Sequence, residues 1–149
     1  MKYYTLQISR SLLREGQTAY PSNASGVASY ARECCYGKDL WREQAFLVFL
    51  GPKNDIQGHF LLAMGGFDAV AIDKRLACVA MLGSGAPKGV LVHNHPSGDP
   101  VPSPRDINLT ADVRKAFSAI GCQLVDHVIL ADETFFSFAD EKVSRYSRK

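Results

Sequence analysis

A chain of 149 residues with 46% hydrophobic and 21% charged side chains can bury one sizeable core, and this is not the composition of a disordered polymer. A net charge of +2 at pH 7 is too small to hold nucleic acid by charge alone, because non-specific binding draws on many phosphate contacts. No run approaches the roughly 20 apolar residues of a helical membrane span.

The N-terminal segment Met1-Lys2-Tyr3-Tyr4-Thr5 leads into a polar Gln7-Ile8-Ser9-Arg10, where a signal peptide would keep its apolar stretch. A cytoplasmic protein is expected. Residues 3–9 alternate enough for a short strand. Ser22 or Asn23 can cap a helix running through Val27, Tyr30, Ala31 and Cys34. From Ala45 to Leu50 the chain is continuously apolar, which predicts a strand covered on both faces. The turn cluster Gly51-Pro52-Lys53-Asn54-Asp55 returns it as a second strand over Ile56 to Met64, giving a hairpin.

Gly65-Gly66 breaks that strand, and Asp73 to Leu82 is the next predicted helix, with Ala77, Val79, Ala80 and Met81 packing on the sheet. A short buried strand over Gly89 to Val92 delivers His93 and His95 from its end. Ser103-Pro104 then opens a helix, since Ser is a strong N-cap and Pro is favoured at the first helical position. Ile107, Val113, Phe117 and Ile120 give it a buried face, and Gly121 stops it. Gln123 to Ala131 and Thr134 to Phe138 are two final strands around the turn Asp132-Glu133. Glu141 to Lys149, with four of the 17 Lys and Arg, is expected to be a solvated basic tail. The four cysteines form no Cys-x-x-Cys pair, so neither a zinc ribbon nor a thioredoxin-like motif is available, and reduced, mostly buried thiols are expected. The pattern predicts one α/β domain over 1–149, a mixed sheet flanked by helices. It has an N-terminal strand and helix over 1–40, a core over 41–140 and the tail over 141–149.

The stretch from His93 to Asp106 concentrates the chemistry at the spacing His-x-His-x7-Ser-x-x-Asp. Two histidines one residue apart on an extended backbone project to the same side. They present two nitrogen donors to one point, and an Asp as third ligand would leave a fourth position open for water, as in a catalytic zinc site. Taken alone, Ser103-x-x-Asp106 reads as a capping box, and Pro96-Ser97-Gly98-Asp99-Pro100 as turn chemistry. The two readings are compatible, because Ser103 can cap while Asp106 points back toward the imidazoles. Hydrolysis also needs a base to take a proton from water. Glu43, where the buried strand begins, is one candidate, with Glu33, Glu133 and Asp126 as rivals.

These residues resemble the JAMM (MPN-type) zinc metallopeptidase motif, Glu…His-x-His-x7-Ser-x-x-Asp. More closely, His93-Asn94-His95-Pro96-Ser97-Gly98-Asp99-Pro100, then Pro102-Ser103-x-x-Asp106-Ile107 and Thr110, are similar to the bacterial RadC family, with further agreement at Asp126-His127-Val128-Ile129 and Ser137-Phe138. The resemblance covers roughly residues 40 to 140. It implies a cytidine-deaminase-like α/β/α sandwich, with His93, His95 and Asp106 as zinc ligands, Glu43 as general acid/base and Ser103 helping to stabilise an oxyanion. It further implies a zinc-dependent peptidase or isopeptidase acting on a peptide or isopeptide-linked protein. Two departures stand out. Residues 1–40 are too short for the helix-hairpin-helix module of longer RadC proteins, so the chain looks like the short, mobile-element or prophage kind. Ile72-Asp73-Lys74-Arg75 also replaces a Pro-Arg pair that the family often carries.

Asp126 and His127 can supply a fourth ligand, or an acceptor that holds a zinc-bound imidazole in one tautomer, or simply satisfied strand positions. His59 has no assigned role. A role in DNA repair or recombination, to which the family's name points, is the alternative function. The chain has no basic stripe or aromatic platform to support it, and His93-Asn94-His95 matches the HNH nuclease motif only as a string. Nucleobase deamination lacks its His-x-Glu…Pro-Cys-x-x-Cys set. A metal-stabilised binding module without activity is a third reading, and pairing between two copies of the chain is open.

Overall fold

A computed structural model of the chain describes residues 20–36, 40–65 and 71–146. The strand expected at 3–9 and the last three residues of the expected tail lie outside them. Helix α1 (Ala24–Tyr30) begins at Asn23 rather than Ser22, because the Asn23 side chain accepts from Gly26 N at 2.9 Å. It runs on as a wider π turn, Ala31–Tyr36. Strands β1 (Gln44–Leu50) and β2 (Ile56–Met64) form the expected antiparallel hairpin. Helix α2 (Lys74–Ser84) is capped by Asp73, strand β3 (Lys88–Asn94) follows, and helix α3 (Pro104–Ala119) is capped by Ser103. Strands β4 (Gln123–Leu130), β5 (Thr134–Ser137) and β6 (Lys142–Arg145) complete the described elements. No helix among the described residues is long and apolar enough to cross a membrane.

The six strands make one mixed sheet in the order β2-β1-β3-β4-β5-β6. Only β3 and β4 pair in parallel, which requires a crossover, and α3 supplies it. Alternation along β1 splits the core in two. Phe46, Val48 and Leu50 pack with Val27, Tyr30 and Tyr36 on one face. Ala45, Leu47 and Phe49 pack with Ala77, Ala80 and Met81 of α2 and with Val113 and Phe117 of α3 on the other. Every residue of β1 is buried, as its unbroken apolar run predicts. The result is the expected helix–sheet–helix layering.

Four local expectations are corrected. Val79 is exposed rather than packed on the sheet, because it lies two residues, about 200° of helix, from the buried Ala77. Ile107 is also exposed, since the buried stripe of α3 runs Asp106, Thr110, Val113, Phe117, and its first two positions are polar. Lys142–Arg145, expected to be tail, pairs with β5 as an edge strand whose side chains remain largely exposed. The four thiols are free and half-buried rather than buried.

The ladder between β3 and β4 is irregular at one point. Gly89 of β3 faces Leu124 of β4, but the next residue, Val90, faces Asp126, so Val125 is an extra residue in the ladder. The bulge resets the alternation of β4. Leu124 and His127, three positions apart, both face α3, and Asp126 turns to the α1 side.

Candidate metal centre

The site forms at the carboxyl end of β3. His93 is the penultimate residue of the strand and is 2% exposed. His95 N donates to Leu130 O at 2.8 Å, which keeps the backbone extended one step past the strand and puts both imidazoles on the α3 side. The chain then turns through Gly98, at φ +81°, where a Cβ would come within 2.7 Å of Asp132 Oδ2. The positive φ is what favours glycine here, since the Asp132 carboxylate is an exposed side-chain end that can move aside. The loop ends at the N-cap of α3, one turn from Asp106.

His93 Nε2 and His95 Nε2 stand 3.0 Å apart. Asp106 closes the triangle, with Oδ1 3.2 Å from His93 Nε2 and Oδ2 3.4 Å from His95 Nε2. A tetrahedral zinc with bonds of about 2.0–2.1 Å separates neighbouring ligand atoms by about 3.3 Å; the two imidazole nitrogens stand near that spacing, and one ligand atom from each of the three residues lies within 4.8 Å of the others. His95 Nδ1 donates to Asp99 O at 2.8 Å, a partner that can only accept, so the neutral ring keeps its lone pair on Nε2, facing the carboxylate. Acceptors converging in this way call for a cation between them. The residues fit a divalent metal of zinc type.

The helix cap and the metal face coexist. Asp106 N donates to Ser103 Oγ at 3.2 Å, and Ser103 N donates to Asp106 Oδ2 at 2.7 Å, a complete capping box. Ser103 Oγ also donates to Asp106 Oδ2 at 2.6 Å. Burial pushes the Asp106 carboxyl upward, but the neighbouring His93 and His95 imidazoles and the Ser103 hydroxyl outweigh it and hold the group well below the usual carboxylate range. Burial lowers His95, and Asp106 together with the Asp99 carbonyl more than reverses that.

Glu43 lies just before β1 and lines the same cleft of about 160 Å3 as His93, His95, Ser103 and Asp106, with Ile72 and Leu109 as apolar walls. Its three rivals lie elsewhere. Glu33 receives the Tyr20 hydroxyl at 2.5 Å on the α1 side, Glu133 sits in the β4–β5 turn, and Asp126 faces away. The Asp126 carboxylate accepts from Ser137 Oγ at 2.6 Å and from the backbone N–H of His127 and Ala139, and burial raises its pKa. His59 accepts or donates to the Tyr30 hydroxyl at 2.9 Å in the other core layer and takes no part.

Two residues of the site were given no role in the sequence reading. Asn94, between the histidines, points the opposite way and is 1% exposed. Its carboxamide accepts from Gln44 N at 2.8 Å and donates to Leu40 O at 3.0 Å and Arg42 O at 2.8 Å, which fastens the segment that carries Glu43. Thr110 bonds to His127 Nδ1 at 2.6 Å, and His127 Nε2 lies 2.7 Å from His93 Nδ1. His127 is therefore engaged behind His93, on the side away from Asp106. The signal for Asn94 was its place between two ligands, where a period of two sends it to the opposite face.

The family described as RadC-like JAB domain matches residues 21–143. Among curated proteins, a UPF0758 protein of Carboxydothermus hydrogenoformans is 34% identical over 102 residues, 68% of this chain and 45% of that protein. A UPF0758 protein of Shouchella clausii is 31% identical over 137 residues, 91% of this chain and 59% of its own length. A UPF0758 protein of Chlorobaculum tepidum is 38% identical over 102 residues, 68% of this chain and 46% of that protein. The chain thus spans about half the length of the curated relatives it matches.

Proposed function

Because this chain belongs to the RadC-like JAB domain family over residues 21–143, we propose that it is a zinc-dependent hydrolase that cleaves a peptide or isopeptide bond. The observation that carries the reading is the convergence of His93, His95 and Asp106 in one cleft with Glu43. His93 and His95 would hold zinc through their imidazoles, and Asp106 through its carboxylate. Bound there, zinc would supply a Lewis acid that polarises a carbonyl and makes a water easier to deprotonate.

The remaining steps belong to the chain. Glu43, held at the cleft edge by the Asn94 clamp, takes a proton from the attacking water and returns it to the leaving amine. Ser103 lines the cleft with its hydroxyl donating to Asp106 Oδ2; turned outward, it donates to the oxyanion of the scissile carbonyl. Ile72 and Leu109 pack against the aliphatic part of the substrate and exclude water from it.

Elemental analysis of protein purified without chelator tests the site. The expected result is near-stoichiometric zinc in the wild type and its loss in the His93→Ala/His95→Ala variant. Glu43→Gln is expected to keep the metal and to lose turnover of fluorogenic peptide or isopeptide probes by about 100-fold or more. A wild type that takes up no metal when zinc is offered would overturn the reading, and unchanged turnover in Glu43→Gln would remove Glu43 as the base.

A further inference from the structure

The buried face of α3 and the adjoining strand β4 carry a hydrogen-bond chain that the hydrolytic steps leave unused. It starts at the main chain of the residue proposed as the third ligand. The Thr110 hydroxyl lies 2.6 Å from the Asp106 carbonyl oxygen, one helical turn back. A carbonyl has no proton to give, so at that separation the hydroxyl proton lies between the two oxygens. Thr110 Oγ1 therefore meets His127 Nδ1, also at 2.6 Å, as an acceptor, and Nδ1 carries the proton. The neutral His127 ring then shows a bare Nε2 to His93 Nδ1 at 2.7 Å, so His93 Nδ1 donates. What remains on His93 is a bare Nε2 directed at His95 and Asp106.

We propose that Thr110 and His127 are positioning residues that set the tautomer of His93, so that its Nε2 meets the metal as a lone pair. The inference rests on the zinc reading above only in the use it gives that lone pair. Helix α3 then serves the centre twice, once through the Asp106 side chain and once through the Asp106 carbonyl and Thr110. The orientation of His127 is itself fixed from both sides. The ring is fully buried, and it stacks on Phe138 at 4.8 Å between centroids with 4° between planes. The same rule that holds a metal-bound histidine through its second nitrogen operates here, with an imidazole in place of the usual carboxylate or carbonyl. His95 uses the Asp99 carbonyl for this purpose, so the two histidines reach the same tautomer by unlike routes.

The test needs no substrate. Long-range proton–nitrogen correlation spectra of the metal-free, nitrogen-15 histidine-labelled protein at about pH 8, where ordinary imidazoles are neutral, report which ring nitrogen bears the proton. His93, His95 and His127 are all expected to carry it on Nδ1. A bare Nδ1 on His93 or His127 would overturn the proposal, and this measurement uses the wild type alone. Thr110→Val removes the acceptor at nearly constant volume. It is expected to move the His127 proton to Nε2 and to weaken zinc binding roughly 10- to 100-fold, with Thr110→Ser restoring both. An unchanged zinc Kd in a folded Thr110→Val variant would also overturn it. Should the wild type take up no zinc, the hydrolase reading falls, and the tautomers still decide the relay.

Discussion

Asn94 separates two histidines in sequence and has a task unlike theirs. Its side chain makes three hydrogen bonds to the backbone of Leu40, Arg42 and Gln44, all from a buried position. Removing it leaves those groups without their partner, at about 1 kcal/mol each or more. Asn94→Ala is therefore expected to lower stability by about 2–4 kcal/mol in urea unfolding. Zinc uptake should persist, because His93, His95 and Asp106 are untouched, and turnover should fall because Glu43 loses its mooring. Loss of zinc together with stability would instead make Asn94 a support of the strand end as a whole. The residue types at this scale were largely legible in the sequence. His93, His95 and Asp106 announced a ligand set by kind and spacing, and the structure brings them together. Glu43 was one of four acidic candidates by the residues alone, because a base is defined by where it stands and not by its neighbours in the chain.

Helix α3 and strand β4 show how an element carries two obligations. The N-terminus of α3 is a capping box whose acidic member also faces the histidines. Ser103→Ala removes a strong cap and should cost about 1 kcal/mol. Asn is as good a cap as Ser, so Ser103→Asn should restore thermal stability. If the Ser103 hydroxyl also serves turnover, Ser103→Asn stays slow while melting like the wild type; recovery of both by Asn would leave Ser103 as a cap only. The ends of α3 were readable from Ser103-Pro104 and Gly121, since caps are local chemistry. Its buried stripe was not, because the sequence reading followed apolar residues, and here the stripe passes through Asp106 and Thr110. Nor was the face of β4. A strict alternation puts Leu124 and Asp126 together, and only the bulge at Val125 brings His127 to the site. Such a bulge depends on the neighbouring strand, and nothing in Gln123 to Leu130 marks it.

The described part of the molecule holds the centre between its two most buried strands and the helix that crosses from β3 to β4. Three of the clustered and supporting groups (His93, Asp106 and His127) are buried, so the candidate site is assembled only in the folded chain. A ligand that binds the native state alone stabilises it by mass action. Zinc at 100 times its Kd is thus expected to raise unfolding free energy by about 2.7 kcal/mol, and a chelator to remove that gain. Thermal melts with and without zinc check this, and a Tm indifferent to zinc in wild type would argue against a site built by folding. The sequence by itself determined the α/β class, the hairpin, the helix caps and the kinds of residue at the metal centre. Those follow from periodicities and local hydrogen bonds that operate within a few residues. The tertiary structure alone decided that Glu43 stands at the cleft, that Asn94 holds it there, and that Thr110 and His127 reach His93 from behind. Each of these joins residues 17 to more than 50 positions apart, and their meeting is set by strand order, register and a single bulge.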